Sequence, residues 1–260
     1  MMKRLIPPAL LIIALIITWQ GIVMIFNIPK WLLPSPYDIV LALIGTAAVI
    51  TPHVQQTIIE TGLGLLASLF LGVGFAVLVD LSGMLKKALY PLLVASQTIP
   101  ILAIAPLLII WFGYGIMPKI IVVALICFFP ITVNMADGLR SADPDLILLL
   151  RSMGASRFQI FSKVRLPGSL PSFFSGLKVA ITYSVIAAII GEWVGASKGL
   201  GIFMIRSANS FFTDRVFAAI LITSFLSIIM FLLVEMIERA SLPWYYVSRR
   251  EGIWKEVRRR

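Results

Sequence analysis

Long apolar runs separated by short polar segments set the rhythm of this chain. Six of them, at 5–26, 57–79, 89–112, 120–136, 173–194 and 216–237, hold 17 to 24 residues each with very little charge. At about 1.5 Å per residue, each is long enough as a helix to cross a hydrocarbon core of roughly 30 Å. Within a bilayer the backbone groups of a segment must be satisfied internally, which makes the helix the natural spanning form for such runs. The pattern therefore predicts an all-α, polytopic membrane protein with six transmembrane helices, in a single transmembrane domain over residues 1–260.

Composition agrees: 60% of the 260 residues are apolar, 13% are charged and the mean hydropathy is +1.00, whereas soluble domains carry about 25% charged residues. A net charge of +10 would suggest nucleic acid in a soluble protein, but placement changes its meaning. With the N-terminus inside, alternating spans leave 17 of the 22 Lys and Arg on the cytoplasmic side and 5 on the other. The positive-inside rule thus puts both termini in the cytoplasm of a cell (inner or plasma) membrane, with membrane lipid and no nucleic acid as surroundings. Lys3 and Arg4 ahead of the first run resemble a signal-peptide n-region. The run is too long for an h-region, however, and no small-x-small cleavage site follows Gly21, so a true span is expected.

Local punctuation refines this outline. Ser35 and Pro36 suit an N-cap and first helical residue in the outer segment, with Trp31 beside them as an interfacial anchor. Gly64, Ser68, Gly72 and Ala76 fall at four-residue spacing on one face of the second run, a groove for close packing against another helix of the bundle or of a second copy. The third run contains Pro91, Pro100 and Pro106 with Ser96, Gln97 and Thr98, so kinks beside polar groups are expected. Gln97, Thr98, Asn134, Tyr183 and Glu192 are the candidate translocation-pathway residues. A carboxylate such as Glu192 at an outer boundary faces a cavity, a partner or the water layer. Glu235 and Glu238 are expected at the inner interface. His53 has no second ligand at helical spacing and Cys127 is the only cysteine, so no metal site or disulfide is expected within one chain.

The segment 137–172 between the fourth and fifth runs is cytoplasmic by the charge count. Asp143, Pro144 and Asp145 give a cap, a first-turn proline and an acidic residue at the positive helix end. The run LILLLRSM then ends at Gly154, where a left-handed residue closes a helix. Ser156 caps a second helix, RFQIFSKV, expected to stop at Leu166 and Pro167. The apolar set of Leu146, Ile147, Leu149, Leu150, Met153, Phe158, Ile160 and Phe161 is too large to remain wet. Either other cytoplasmic ends cover it or a separate protein does.

Gly154, Ala155 and Ser156 followed by Leu166, Pro167 and Pro171 resemble the cytoplasmic loop of permease subunits of ATP-binding-cassette (ABC) importers. One departure stands out: Leu148, Leu149 and Leu150 occupy the place of that family's Glu-Ala-Ala. The segments LLPSPYDIV, TIPILAIAPLLIIWFGYG, FFPITVN, GASKGLG and DRVFAAIL extend the likeness to the nitrate, sulfonate and taurine branch. ASQTIP together with IIGEWVGASKGLG looks most similar to permeases for pyrimidine precursors of thiamine, with riboflavin permeases nearby.

The resemblance implies a type I importer permease fold with cytoplasmic coupling helices. It also implies a second permease copy as a homodimer, a cytoplasmic ATPase dimer and an extracytoplasmic solute-binding protein. The loop residues it would place against the ATPase are Asp145, Arg151, Gly154, Ala155, Ser156, Arg157, Phe158, Leu166 and Pro167. No cofactor is expected on the chain itself, ATP being used by the partner subunit. The residues agree, since no phosphate-cradling G-x-x-x-x-G-K-[ST] occurs and no catalytic constellation is available. The competing readings are a self-sufficient secondary transporter or channel, with intramembrane polar residues as its site, and an integral-membrane enzyme.

Overall fold

The computed structural model describes residues 2–81 and 83–246. Helices follow one another as α1 (Met2–Ile25), α2 (Pro36–Gly45), α3 (Ala47–Leu81), α4 (Gly83–Ser96), α5 (Ile101–Phe112) and α6 (Met117–Arg140). Then come α7 (Pro144–Ser152), α8 (Arg157–Ile160), a π-helical turn (Phe161–Arg165), α9 (Leu166–Trp193), α10 (Leu200–Asn209) and α11 (Thr213–Ser241). Among the described residues, five helices are long and apolar enough to cross a membrane: α1, α3, α6, α11 and the continuous Arg157–Trp193.

The third apolar run does not form the single helix expected over 89–112. It is divided into α4 and α5, of 14 and 12 residues, each too short to cross a core of roughly 30 Å alone. Pro100 is the cause. It has no N–H to give and disfavours helical geometry at Ile99, so the chain turns with Thr98 N–H on the Ala95 carbonyl (3.0 Å) and restarts with Pro100 as the N-cap of α5. Pro91 and Pro106 lie inside α4 and α5.

The core is the trio α3, α6 and α9, with α11 packed on α9 and α1 touching the rest lightly. The stripe of Gly64, Ser68, Gly72 and Ala76 is buried, and it faces α6 of the same chain. A Cβ at Gly64 would collide with Val123, and one at Gly72 would lie 2.9 Å from Ile131. On the other side of α6, Gly176 of α9 lies against the Pro130 carbonyl. In lipid, where apolar exclusion between helices is weak, such close backbone approach is a main source of association. Val123, Cys127, Ile131, Phe174, Ala180 and Ile181 fill the seam between these helices. Outward-facing Leu, Ile and Phe on α1, α3, α5 and α11 are exposed, as lipid-facing surfaces require.

Candidate functional site

Two polar constructions occupy opposite ends of the bundle. At one end, α7 and α8 form the elbow. Asp143 accepts from the Asp145 N–H (2.9 Å) to start α7. The helix ends as its caps predict: Ala155 N–H donates to Leu150 O (2.9 Å), Gly154 N–H to Arg151 O (3.0 Å), and Gly154 sits at φ +81°. Ser156 then starts α8 with a reciprocal capping box, its hydroxyl accepting from Gln159 N–H (3.2 Å) while Gln159 Oε1 accepts from Ser156 N–H (2.7 Å).

The expected stop at Leu166 and Pro167 is absent. The chain continues through a π-helical turn, in which Leu166 N–H donates to Phe161 O, straight into α9. The inserted residue absorbs the proline: Pro167 occupies the first turn of a new helical register, where its missing N–H leaves no gap. Arg157 to Trp193 is thus one rod of 37 residues.

Of the apolar set on the elbow, Ile160 is buried, and Ile147, Leu150 and Phe161 are half-buried against the bundle. Leu146, Leu149, Met153 and Phe158 stay uncovered, Met153 and Phe158 at 74% and 76% exposure, and so does Leu148 beside them. Ala155 is half-buried, whereas Asp145, Arg151, Ser156 and Arg157 are exposed. Leu166 packs beside Ala76 and Met135. A cavity of about 240 Å³ opens in the crook, lined by Leu150, Met153, Gly154, Ala155, Gln159 and Lys163.

At the far end of the rod is a buried clasp. Glu192, fully buried, accepts from the Thr57 hydroxyl (2.6 Å) and from Gly201 N–H (2.5 Å). Thr57 Oγ1 in turn accepts from Leu200 N–H (2.9 Å), and His53 Nδ1 accepts from Gly199 N–H (3.0 Å). The loop 194–199 and the start of α10 are thereby tied to α3. Gly199 is at φ +135°, and a Cβ there would strike the Glu192 carboxylate.

Lys119, 2% exposed, donates to the carbonyls of Tyr114, Gly115 and Gly195 at 3.3, 3.0 and 3.2 Å, which uses all three ammonium protons. Its charge lies in the field of both Glu60 and Glu192. Glu60 accepts from Gln56 Nε2 (2.8 Å) and turns its carboxyl group toward that of Glu192. Gln56, Glu60, Tyr114, Lys119, Ser197 and Lys198 face a small cavity of about 160 Å³.

Glu192 therefore does not reach the water layer; its partners are protein groups. The other pathway candidates lie elsewhere. Gln97 and Thr98 are exposed in the break between α4 and α5. Gln97 lines, with Phe75, Leu93, Ile104 and Phe128 among others, an apolar cavity of about 440 Å³. The Thr98 hydroxyl is taken up by Ala95 O (2.7 Å). Asn134 donates to Pro130 O (2.8 Å) and packs on Gly176, a helix-packing role that the sequence did not suggest. Tyr183 is 52% exposed on α9. Glu235 pairs with Arg239, and Glu238, 3% exposed, is buried in an ion pair with Lys178 (2.6 Å).

The sequence reading passed over Glu60 and Lys119. Glu60 was available as the lone carboxylate within the second apolar run, since ionisable groups at such depth mark built polar sites. Lys119, just ahead of the fourth apolar run, is one of the five Lys and Arg that the charge count leaves on the outer side.

Residues 64–242 match the family described as binding-protein-dependent transport system inner membrane component. The chain is 40% identical to the formylaminopyrimidine transport permease protein ThiX of Halalkalibacterium halodurans, over 91% of this chain and 95% of that one. It is 29% identical to the taurine transport system permease protein TauC of Escherichia coli, over 89% and 86%. Among solved structures, a chain of the inward-facing MetNI methionine ABC transporter superposes with TM-score 0.66 at 20% identity, over 75% of this chain and 97% of that one. The fold, the family match and these relatives agree: the chain belongs to the binding-protein-dependent inner membrane components, and is the permease subunit of an ABC importer for a small solute, not an enzyme.

Proposed function

We propose that this chain imports a pyrimidine precursor of thiamine, working as a homodimer with both termini in the cytoplasm. A cytoplasmic ATPase dimer sits on the elbow, and a solute-binding protein docks at the clasp end. The solute is supported by the 40% identity to a formylaminopyrimidine permease over nearly the whole of both chains.

The observation that carries the mechanism is the uncovered apolar ridge of the elbow, continuous through the π-turn with the rod that ends at Glu192. Leu148, Leu149, Met153 and Phe158 supply the surface that a partner's groove buries, and the cavity in the crook admits a side chain from it. When ATP closes the ATPase pair, the elbow moves with it. A 37-residue helix conveys that displacement across the membrane with little loss, and access alternates from one side to the other. Gln97, Thr98 and Tyr183 are exposed and thus available to a passage shared between two copies.

The test is reconstitution of the chain with its ATPase and binding protein in liposomes. ATP-dependent uptake of labelled formylaminopyrimidine is expected, resistant to excess taurine, nitrate or riboflavin. Uptake of taurine in its place would sink the pyrimidine assignment and leave the importer intact.

A further inference from the structure

Between the end of α3 and the elbow lies a second cavity, of about 220 Å³. Three guanidinium groups, those of Arg151, Arg157 and Arg165, and one carboxylate, that of Asp80, line it over an apolar floor that includes Leu81 and Phe161. Asp80, its side chain 5% exposed, pairs with Arg165 Nη1 at 2.7 Å and fixes that guanidinium in place. The guanidinium groups of Arg151 and Arg157 make no hydrogen bond or ion pair among the described residues. Three elements therefore bring three cations to one hollow and supply a single anion. The lining is left with a surplus of two positive charges, and the two unpaired guanidiniums are the ones free to bind.

We propose that this cavity binds the phosphate of an anionic phospholipid headgroup. Guanidinium forks match phosphate oxygens in pairs, a geometry that an ammonium does not reproduce. The position favours lipid over a soluble ester. Asp80 follows directly on the second apolar run, and the neighbouring Leu78 and Leu81 are exposed, so acyl chains can lie along α3 below the headgroup. The Lys and Arg excess assigns this end to the cytoplasmic leaflet, where anionic lipids attract basic clusters. A headgroup held here joins α3 to the elbow through a site distinct from the exposed apolar ridge.

Native mass spectrometry of the delipidated full chain tests this, with titration by phosphatidylglycerol, phosphatidylcholine and glycerol 1-phosphate. One phosphatidylglycerol should be retained in preference to the other two. The double variant R151Q/R157Q should weaken that retention about 100-fold, taking about tenfold for each charged hydrogen-bonding group. It should keep its thermal stability, because neither guanidinium is paired in the bundle. K198Q, at the clasp end, should bind as the parent does.

Equal retention of phosphatidylcholine, or undiminished phosphatidylglycerol in the double variant, overturns the proposal. Glycerol 1-phosphate binding as tightly as the lipid also overturns it, since the source is then a soluble ester. A double variant that keeps the lipid but no longer co-purifies with its ATPase assigns both arginines to the ATPase interface and refutes the lipid site.

Discussion

The elbow and the clasp stand at the two ends of one helical rod, and they are held in opposite ways. Every bond that shapes the elbow spans five residues or fewer: Asp143 to Asp145, Leu150 to Ala155, Ser156 to Gln159. The clasp joins residues about 140 apart: Thr57 to Glu192 and to Leu200, His53 to Gly199. The elbow's capping groups are wet and the outer part of its apolar face, Leu148, Leu149, Met153 and Phe158, is uncovered, whereas Glu192, Glu60, Lys119 and Thr57 are almost wholly removed from solvent. A hydrogen bond in water exchanges one partner for another and gains little; a buried group that loses its partner carries the full desolvation penalty. The clasp should therefore govern stability, and the elbow should govern coupling without much affecting stability.

The largest effect is expected at Glu192. Glu192→Leu leaves Gly201 N–H without its acceptor, leaves the Thr57 hydroxyl only the His53 carbonyl (3.1 Å), and removes a carboxyl group from beside Lys119. Removing one member of a buried charged set costs about 3–5 kcal/mol, so thermal unfolding in detergent should shift strongly downward. A shift no larger than that of an exposed control such as Arg157→Gln would erase the contrast between the two ends. Thr57→Val, which removes one donor and one acceptor while keeping shape, should cost about 1–3 kcal/mol. It should also loosen 194–201, seen as faster amide exchange there and not in α7.

How much was legible in advance follows from the same contrast. The elbow's caps lie within a few residues of the groups they satisfy, so Asp143, Gly154 and Ser156 announced their roles in sequence order. The small-residue stripe on α3 was equally plain as a packing face, although which helix it meets is a tertiary fact. The π-turn was not legible, because a proline after a basic helix reads as a stop unless the register slips by one residue to admit it. Pro100, with a similar sequence signal, does break its helix. The clasp was legible only as isolated oddities, Glu192 noted and Glu60 overlooked, because nothing local says that residues 57 and 192 meet.

The next expected effect reverses the balance. Gly154→Val places a β-branched residue at φ +81°, where a left-handed conformation costs about 1–2 kcal/mol. No atom lies within 4 Å of the added Cβ, so the penalty is confined to the backbone of the elbow. Membrane insertion and unfolding temperature should stay close to the parent's, while ATP-dependent uptake falls at least tenfold. Gly154→Asn, better tolerated in that region of backbone space, should recover much of the uptake. Normal uptake by the valine variant at normal expression would remove the elbow from the coupling path.

The smallest effect sharpens the comparison, because it concerns a local cap that is not on the elbow. Ser35 and Asp38 form a capping box at the start of α2, and Lys30 pairs with Asp38 at 2.5 Å. That hydrogen bond to Lys30 holds the Asp38 carboxyl below its ordinary value of 3.8, and the same bond raises Lys30 above 10.5. A depressed carboxylate contributes stability above its unfolded value and loses it as pH falls through the lower folded value. A raised lysine contributes below its unfolded value and loses it as pH rises through the higher folded one. The pair should thus support α2 throughout the neutral range and lose its contribution only below the ordinary value of 3.8, as pH falls through the lower folded one and acid protonates Asp38. Amide exchange in α2 should quicken in acid beyond the intrinsic pH dependence, salt should weaken the effect because Lys30 is exposed, and Asp38→Asn should flatten it. If instead α2 responded to acid as strongly as 194–201 responds to the loss of Glu192, then sequence distance between partners would not be what separates weak from strong polar contacts here, and burial alone would have to account for both.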